Sequence, residues 1–259
     1  MQQQDTICDF STSDSWVILS PIEQSIKRKI EAVGTPLKDW DINIYRGVLT
    51  GCNEAFIIST AKRNEILANC QTEDERKRTA ELIRPILRGR DIRRYRYEWA
   101  ELWLIATFPS RHYNIEEYPA VKQYLLSFGI ERLEQTGKTH IVNGEKVKSR
   151  KKTHNKWFET QDSISYWEDF SKPKIMYSEI VRSPQFYLDE QGQFFPEATT
   201  FILTGEHLRY LYNIFHSKVF TYFFKHFYAG GGLGDDGYRY KKVFFEKLPI
   251  PKLIGNPNQ

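Results

Sequence analysis

Leu208, Leu211, Tyr212, Phe215, Val219, Tyr222 and Phe223 recur at helical spacing, and aromatic residues continue beyond them. A stripe this wide must be covered by other apolar elements. It commits the chain to a packed core reached through one long helix entered from Thr204-Gly205, with the stripe read as core rather than contact surface. With 259 residues, seventeen Phe, fifteen Tyr and six Trp, the chain can bury a substantial core, as one large domain or two small ones. Tyr and Trp also supply rigid contact surface, so aromatic content alone does not separate core from interface.

Upstream, residues 1–15 are polar and look like a tail or linker remnant. Ser20-Pro21-Ile22-Glu23 predicts a helix start with a capping box; Ile22, Ile26, Ile30 and Val33 share a face, and Gly34 with Pro36 ends it. Strands are predicted at Asp41–Val48, at Ala55–Ile58 after a turn, and at Leu102–Thr107. Ser59 or Thr60 caps a short helix to about Asn69. Thr72 and Glu75 open another that stops near Arg84-Pro85. Tyr118-Pro119 starts a helix carrying Val121, Tyr124, Leu125 and Phe128. Further strands are predicted at Lys174–Val181, Phe186–Leu188, Gln193–Phe195 and Phe201–Leu203.

The net charge is only +4, so any nucleic-acid contact requires positive charge gathered on one face. Three segments gather it. Arg88, Arg90, Arg93, Arg94 and Arg96 place five arginines within nine residues around Gly89, followed by Tyr95, Tyr97 and Trp99. Arginine makes bidentate contacts with phosphate and with guanine edges; the alternative is a solvated basic turn between a helix and a strand. The polar stretch from Thr136 to Trp157 predicts a long loop or hairpin carrying Lys148, Arg150, Lys151, Lys152 and Lys156. Arg239, Lys241 and Lys242 follow a glycine-rich loop at residues 230–237 and repeat the basic–aromatic interleaving.

Catalytic patterns are missing from the sequence. There is no GxxxxGK[ST] loop, no Asn-Pro-Pro-Tyr-type motif, no glycine-rich turn for S-adenosylmethionine and no Pro-Asp…Glu-x-Lys nuclease pattern. The six histidines lack ligand spacing, and the acidic pairs Asp189-Glu190 and Asp235-Asp236 read as turn formers. Three cysteines without CxxC spacing argue against a disulfide framework or zinc ribbon. With no signal peptide and no apolar run of membrane-spanning length, a cytoplasmic chain with no membrane partner is expected.

In order along the chain stand Tyr45-Arg46-Gly47-Val48-Leu49-Thr50-Gly51-Cys52-Asn53-Glu54-Ala55-Phe56, Leu87-Arg88-Gly89-Arg90-Asp91-Ile92, Tyr118-Pro119-Ala120-Val121 and Lys172-Pro173-Lys174-Ile175-Met176-Tyr177-Ser178-Glu179-Ile180. Thr204-Gly205 with the aromatic helix, Arg239-Tyr240-Lys241 and Leu248-Pro249-Ile250-Pro251 complete the series. Together these resemble the C-terminal target-recognition domain of type IIG restriction–modification enzymes and related adenine methyltransferases, the TaqI-like C-terminal specificity domain. The resemblance implies an α+β fold, a twisted, mostly antiparallel sheet region with packed helices, as in type I and IIG recognition domains. It implies a recognition domain over residues 16–252, with 204–252 a helical C-terminal subregion and 253–259 a tail.

The implied partners are double-stranded DNA, read through the major groove, and an upstream methyltransferase in the same polypeptide or a partner chain, with a nuclease sometimes attached. S-adenosylmethionine would be the parent enzyme's cofactor; none is expected for this chain, which would be a monomeric, non-catalytic fragment or free specificity module. Because Gly89, Arg90 and Asp91 recur across family members with different targets, the resemblance implies a partly structural role for Arg90 and Asp91, with an internal ion pair between them. The rivals are a protein-docking domain whose surface aromatics hold a partner, and an RNA-binding module.

Overall fold

The computed structural model describes residues 19–229 and 237–252; the predicted tails at 1–15 and 253–259 and most of the glycine-rich loop lie outside them. Helix α1 (Pro21–Val33) opens on the predicted capping box, with the Ser20 hydroxyl accepting from the Glu23 amide and the Glu23 carboxylate accepting from the Ser20 amide at 2.8 Å. It runs into β1 (Gly34–Pro36) and β2 (Ile42–Arg46). Next come α2 (Asn53–Phe56), β3 (Ile57–Ser59), α3 (Thr60–Ala68), α4 (Glu73–Leu82), β4 (Ile83–Leu87), β5 (Ile92–Arg93), β6 (Arg96–Tyr97) and β7 (Leu102–Ile105). Then follow α5 (Pro119–Leu126), α6 (Ile130–Leu133), β8 (Thr139–Val142), β9 (Glu145–Lys148), β10 (Lys174–Ser178), β11 (Ile180–Val181), β12 (Phe186–Asp189), β13 (Phe195–Pro196) and β14 (Thr200–Gly205). Helices α7 (Leu208–Phe215) and α8 (Lys218–Phe223), a π turn at Phe224–Tyr228, β15 (Tyr238–Arg239), α9 (Lys242–Phe245) and β16 (Pro249–Pro251) complete the described chain.

The architecture is α+β and mostly antiparallel. One four-stranded sheet has the order β12-β10-β14-β2, all antiparallel; the other has the order β13-β4-β7-β3, with only the β13–β4 pair parallel. The first sheet is covered on both faces, so its strands alternate between two cores rather than between core and water. Ile175, Tyr177, Phe201, Leu203, Ile44 and Phe186 face one core, built with Leu211, Phe215, Phe220, Phe224 and Phe245. Met176, Ile202, Tyr45 and Tyr187 face the other, shared with the second sheet and with Phe56, Val121 and Leu125. The sheet is the common wall of the molecule.

Three sequence expectations are corrected. Ala55 and Phe56 belong to the helical turn α2, and the strand begins only at Ile57. Pro85 does not terminate α4; the helix ends at Leu82, and Pro85 sits within β4 opposite Trp103. The long aromatic helix is broken at His216-Ser217. The Ser217 hydroxyl accepts from the Phe220 amide at 3.0 Å and caps a new helix, as serine does when it competes with the helical backbone. The break turns Phe220 and Phe224 back against Phe215 and Phe245.

Candidate nucleic-acid interface

The arginine stretch resolves into two small devices. Leaving β4, the chain makes a single turn, Gly89–Asp91, closed by an ion pair. The Asp91 carboxylate accepts from the Arg88 amide at 3.1 Å and from the Arg88 guanidinium at 2.8 and 2.7 Å. These hydrogen bonds raise the Arg88 guanidinium above its ordinary range. The pair replaces the expected Arg90–Asp91 contact, and it makes Arg88 scaffold. Gly89 lies against Thr199, just before β14, and Ser178 at the end of β10: its amide donates to the Thr199 hydroxyl at 3.1 Å, and a Cβ there would stand 2.7 Å from the Thr199 carbonyl oxygen and 2.8 Å from Ser178 Oγ.

The second device is a hairpin, β5 and β6, with Arg94-Tyr95 as its two-residue tip. Arg93 and Arg96 share the Glu98 carboxylate at 2.8 and 2.9 Å. Arg94 donates to the His216 carbonyl at 3.2 Å. Tyr95 adopts the left-handed conformation (φ 69°), uncommon for a residue with a Cβ. Its ring is held 4.2 Å from that of His216 and against Tyr212, so the hairpin leans on the end of α7.

Burial lowers the His216 imidazole below its ordinary range, as does the nearby Arg94, against an opposing hydrogen bond to the Tyr212 carbonyl. The unfolded chain therefore takes up the proton first, and the stability due to this site is lost as pH falls through about 6.5. Melting temperature measured from pH 8 to pH 5 should fall less steeply in His216→Gln than in the parent chain. Equal slopes would remove His216 as the titrating group.

Arg90 is exposed and forms no ion pair among the described residues. It borders a cleft of about 370 Å³ that also takes in Arg46, Ser178, Glu179, Ile180, Gln185 and Glu197. Arg46 reaches this place because Gly47, just after β2, lets the chain pass close to the end of β13: a Cβ on Gly47 would stand 2.1 Å from the Glu197 carbonyl oxygen. The Arg46 guanidinium donates to the Ala198 carbonyl at 3.0 Å. Arg239, from the far end of the chain, is paired in β15 with Ile180, which borders the cleft. Lys241 is exposed, whereas Lys242 is turned back onto the Ile44 carbonyl at 2.9 Å and Glu246 at 3.4 Å.

The basic stretch at 136–157 contains a true hairpin, β8 and β9. Lys148, Lys151, Lys152 and Lys156 are exposed on and beyond it, and none makes an ion pair among the described residues. Burial raises the Asp162 carboxyl, against the pull of the Arg46 and Lys151 charges. Arg150 is the exception and is corrected here. It is buried and donates to the carbonyls of Leu133, Thr50, Glu159 and Trp157 at 2.7–2.8 Å, and its guanidinium lies over Phe56. A side chain so engaged is an internal tie and cannot touch DNA.

Sequence reasoning missed Arg46, Gln185 and the carboxylates of Glu179 and Glu197. Arg46 and Glu179 lie within two of the family landmarks, but no cluster of like residues marks any of the four, and only the pairing of β2, β14 and the arginine turn assembles them.

The sequence matches the family described as the TaqI-like C-terminal specificity domain over residues 84–250. The chain belongs to this family. The match takes in the arginine turn, the lysine hairpin and Arg239. The specificity domain resembles two solved structures. The type IIG restriction endonuclease BpuSI aligns with a TM-score of 0.53 at 14% identity, over 89% of this chain and 25% of BpuSI. The type IIL restriction–modification enzyme MmeI, solved in complex with DNA, aligns with a TM-score of 0.51 at 11% identity, over 82% of this chain and 25% of MmeI. At such identities the likeness shows the fold. This chain spans about a quarter of the length of either enzyme. No curated protein sequence matches it. Among the described residues no helix is long and apolar enough to cross a membrane.

Proposed function

We propose that this specificity domain reads a double-stranded DNA site for a restriction–modification enzyme, and that the cleft bordered by Arg46 and Arg90 is where base edges are met. The observation that carries the reading is the composition of that cleft. Two arginines, a glutamine, a serine and two carboxylates stand together, and these side-chain types discriminate the four base pairs in the major groove. Lys148, Lys151, Lys152, Lys156, Arg239 and Lys241 hold the flanking phosphates, while Arg93, Arg94 and Arg96 stiffen the hairpin beside the cleft. Methyl transfer, with S-adenosylmethionine as cofactor, and any strand cleavage belong to an upstream catalytic part in the same polypeptide or a partner chain. The chain itself acts as a cytoplasmic, monomeric, non-catalytic unit.

Selection from a randomised duplex pool at low and at moderate salt, with sequencing of the bound fraction, tests this. An enriched short motif is the expected result; no binding at either salt would overturn the reading. Arg46→Gln and Arg90→Gln should each weaken binding to the enriched duplex by about tenfold, as expected for roughly 1–3 kcal/mol per base contact, and should relax the motif at one position. Lys151→Gln with Lys152→Gln should weaken binding evenly across sequences and reduce the salt slope by about 0.9 per lost phosphate contact. Variants at Arg46 and Arg90 that only lower the salt slope would make those residues phosphate holders instead.

A further inference from the structure

A second basic cavity, unconnected with the proposed cleft, lies at the other end of β4. It has a volume of about 420 Å³ and is bordered by Arg78 of α4, Arg84 of β4 and Arg111 of the turn after β7, with Glu81 the one carboxylate on its wall. Three guanidiniums against one carboxylate leave a local excess of positive charge. No ion pair joins Glu81 to any of the three among the described residues.

Each guanidinium is held in place without being neutralised. Arg111 is stacked 3.8 Å above the Trp167 ring and 5.3 Å from the Tyr113 ring. Arg84 lies 5.1 Å from the Phe195 ring. Arg78 donates to the Glu117 carbonyl at 3.2 Å. The Nε atoms of Arg78 and Arg84 are buried and meet no protein acceptor. Stacking fixes the planes of arginine side chains while leaving their in-plane donors free, which is the preparation a tetrahedral oxyanion requires.

We propose that this cavity is a phosphate-binding site in which Arg78, Arg84 and Arg111 converge on one phosphate group. The group comes either from a DNA backbone or from a free phosphate compound. The site is distinct from the cleft: no residue borders both, and the extended chain from Arg84 to Arg88 alone spans about 13 Å at the rise of a strand before the turn that carries Arg90. Neighbouring donors cannot span that distance to one phosphate.

Trp167 supplies the readout, since an anion drawn to Arg111 alters the cation stacked on its ring. Titration of the whole chain with inorganic phosphate, at ionic strength held constant with sodium chloride, should give a saturable change in tryptophan emission that Trp167→Phe abolishes. Arg84→Gln and Arg78→Gln should each weaken phosphate affinity by about tenfold, the loss of one charge-assisted contact, with melting temperature unchanged. A change reproduced by chloride alone, or one that survives both arginine substitutions, would overturn the proposal. So would the lack of any saturable change.

Duplex DNA separates the sources. If the phosphate belongs to DNA, Arg84→Gln also lowers the salt slope of duplex binding by about one. If it belongs to a free compound, phosphate affinity falls and duplex binding is untouched. Both results support the site. The phosphate titration needs no DNA, so failure of the DNA-reading function leaves this test intact.

Discussion

Replacing Arg150 by methionine is expected to destabilise the fold by about 3–5 kcal/mol, the size expected when a buried hydrogen-bond network loses its shared donor. The guanidinium satisfies four carbonyl oxygens, those of Leu133, Thr50, Glu159 and Trp157. Burial pulls it down to about 10, still well above neutrality, so it is charged where the protein works. Methionine fills much of the volume but donates nothing, which strands four buried acceptors at roughly 1–3 kcal/mol for each that finds no substitute. Arg150→Lys keeps the charge but offers a point-like ammonium that cannot span the four carbonyls, so it should fall between the two. Lys151→Gln and Lys152→Gln, one and two residues away, should stay within about 0.5 kcal/mol of the parent chain, as exposed substitutions do. Urea denaturation of the four variants reads this directly. An Arg150→Met variant with the parent's midpoint would show that the four carbonyls do not need the guanidinium.

That contrast marks the limit of what the sequence could tell. Lys148-Ser149-Arg150-Lys151-Lys152 is one basic run, and nothing in it distinguishes the residue that turns inward. The deciding partners lie up to 100 residues away, at Thr50, and they are backbone carbonyls, which carry no side-chain signature. Local devices were legible. The capping box at Ser20 and Glu23 formed as expected, and so did the Thr72 cap, because cap and capped amide are three residues apart. At Thr72 only half the box closes: Glu75 reaches the amides of Gln71 and Ala120 instead of the cap. Strands β10 and β14 were recognisable from their apolar runs, yet their two-faced burial was not, since alternation between two cores looks the same as uniform hydrophobicity. The arginine turn was legible as a basic feature. Which of its arginines would be locked was settled by geometry: Asp91 lies within reach of Arg88, whereas Arg90 points away to the cleft.

Lys174→Met should be as damaging as the Arg150 change, for a reason that ties stability to recognition. Lys174 and Asp189 face each other across β10 and β12, both shielded from solvent, with Nζ 2.7 Å from the carboxylate. Nζ also donates to the Phe170 carbonyl at 2.8 Å. Burial lowers the Lys174 ammonium and the Asp189 carboxylate pushes it back up. The carboxylate does a second job, accepting from the Gln193 and Phe194 amides at 3.0 and 2.9 Å. It thereby closes the turn that delivers Phe194 and Phe195 to the core and β13 to the edge of β4, immediately before the arginine turn. Lys174→Met leaves a buried carboxylate without its cation, a cost of about 3–5 kcal/mol.

Adding Asp189→Asn removes the stranded charge while keeping one carbonyl-type acceptor for the turn. The double variant should therefore recover about 1–3 kcal/mol relative to Lys174→Met, a coupling of the size expected between contacting residues. Chemical denaturation of the single and double variants measures that coupling, and additive losses would show that the pair is not a unit. At a temperature where Lys174→Met remains folded, it should also bind the enriched duplex more weakly, because the strand that sets Arg90 at the cleft has lost its anchor. Unchanged duplex affinity in that variant would mean that the arginine turn holds its position through the Arg88–Asp91 pair alone.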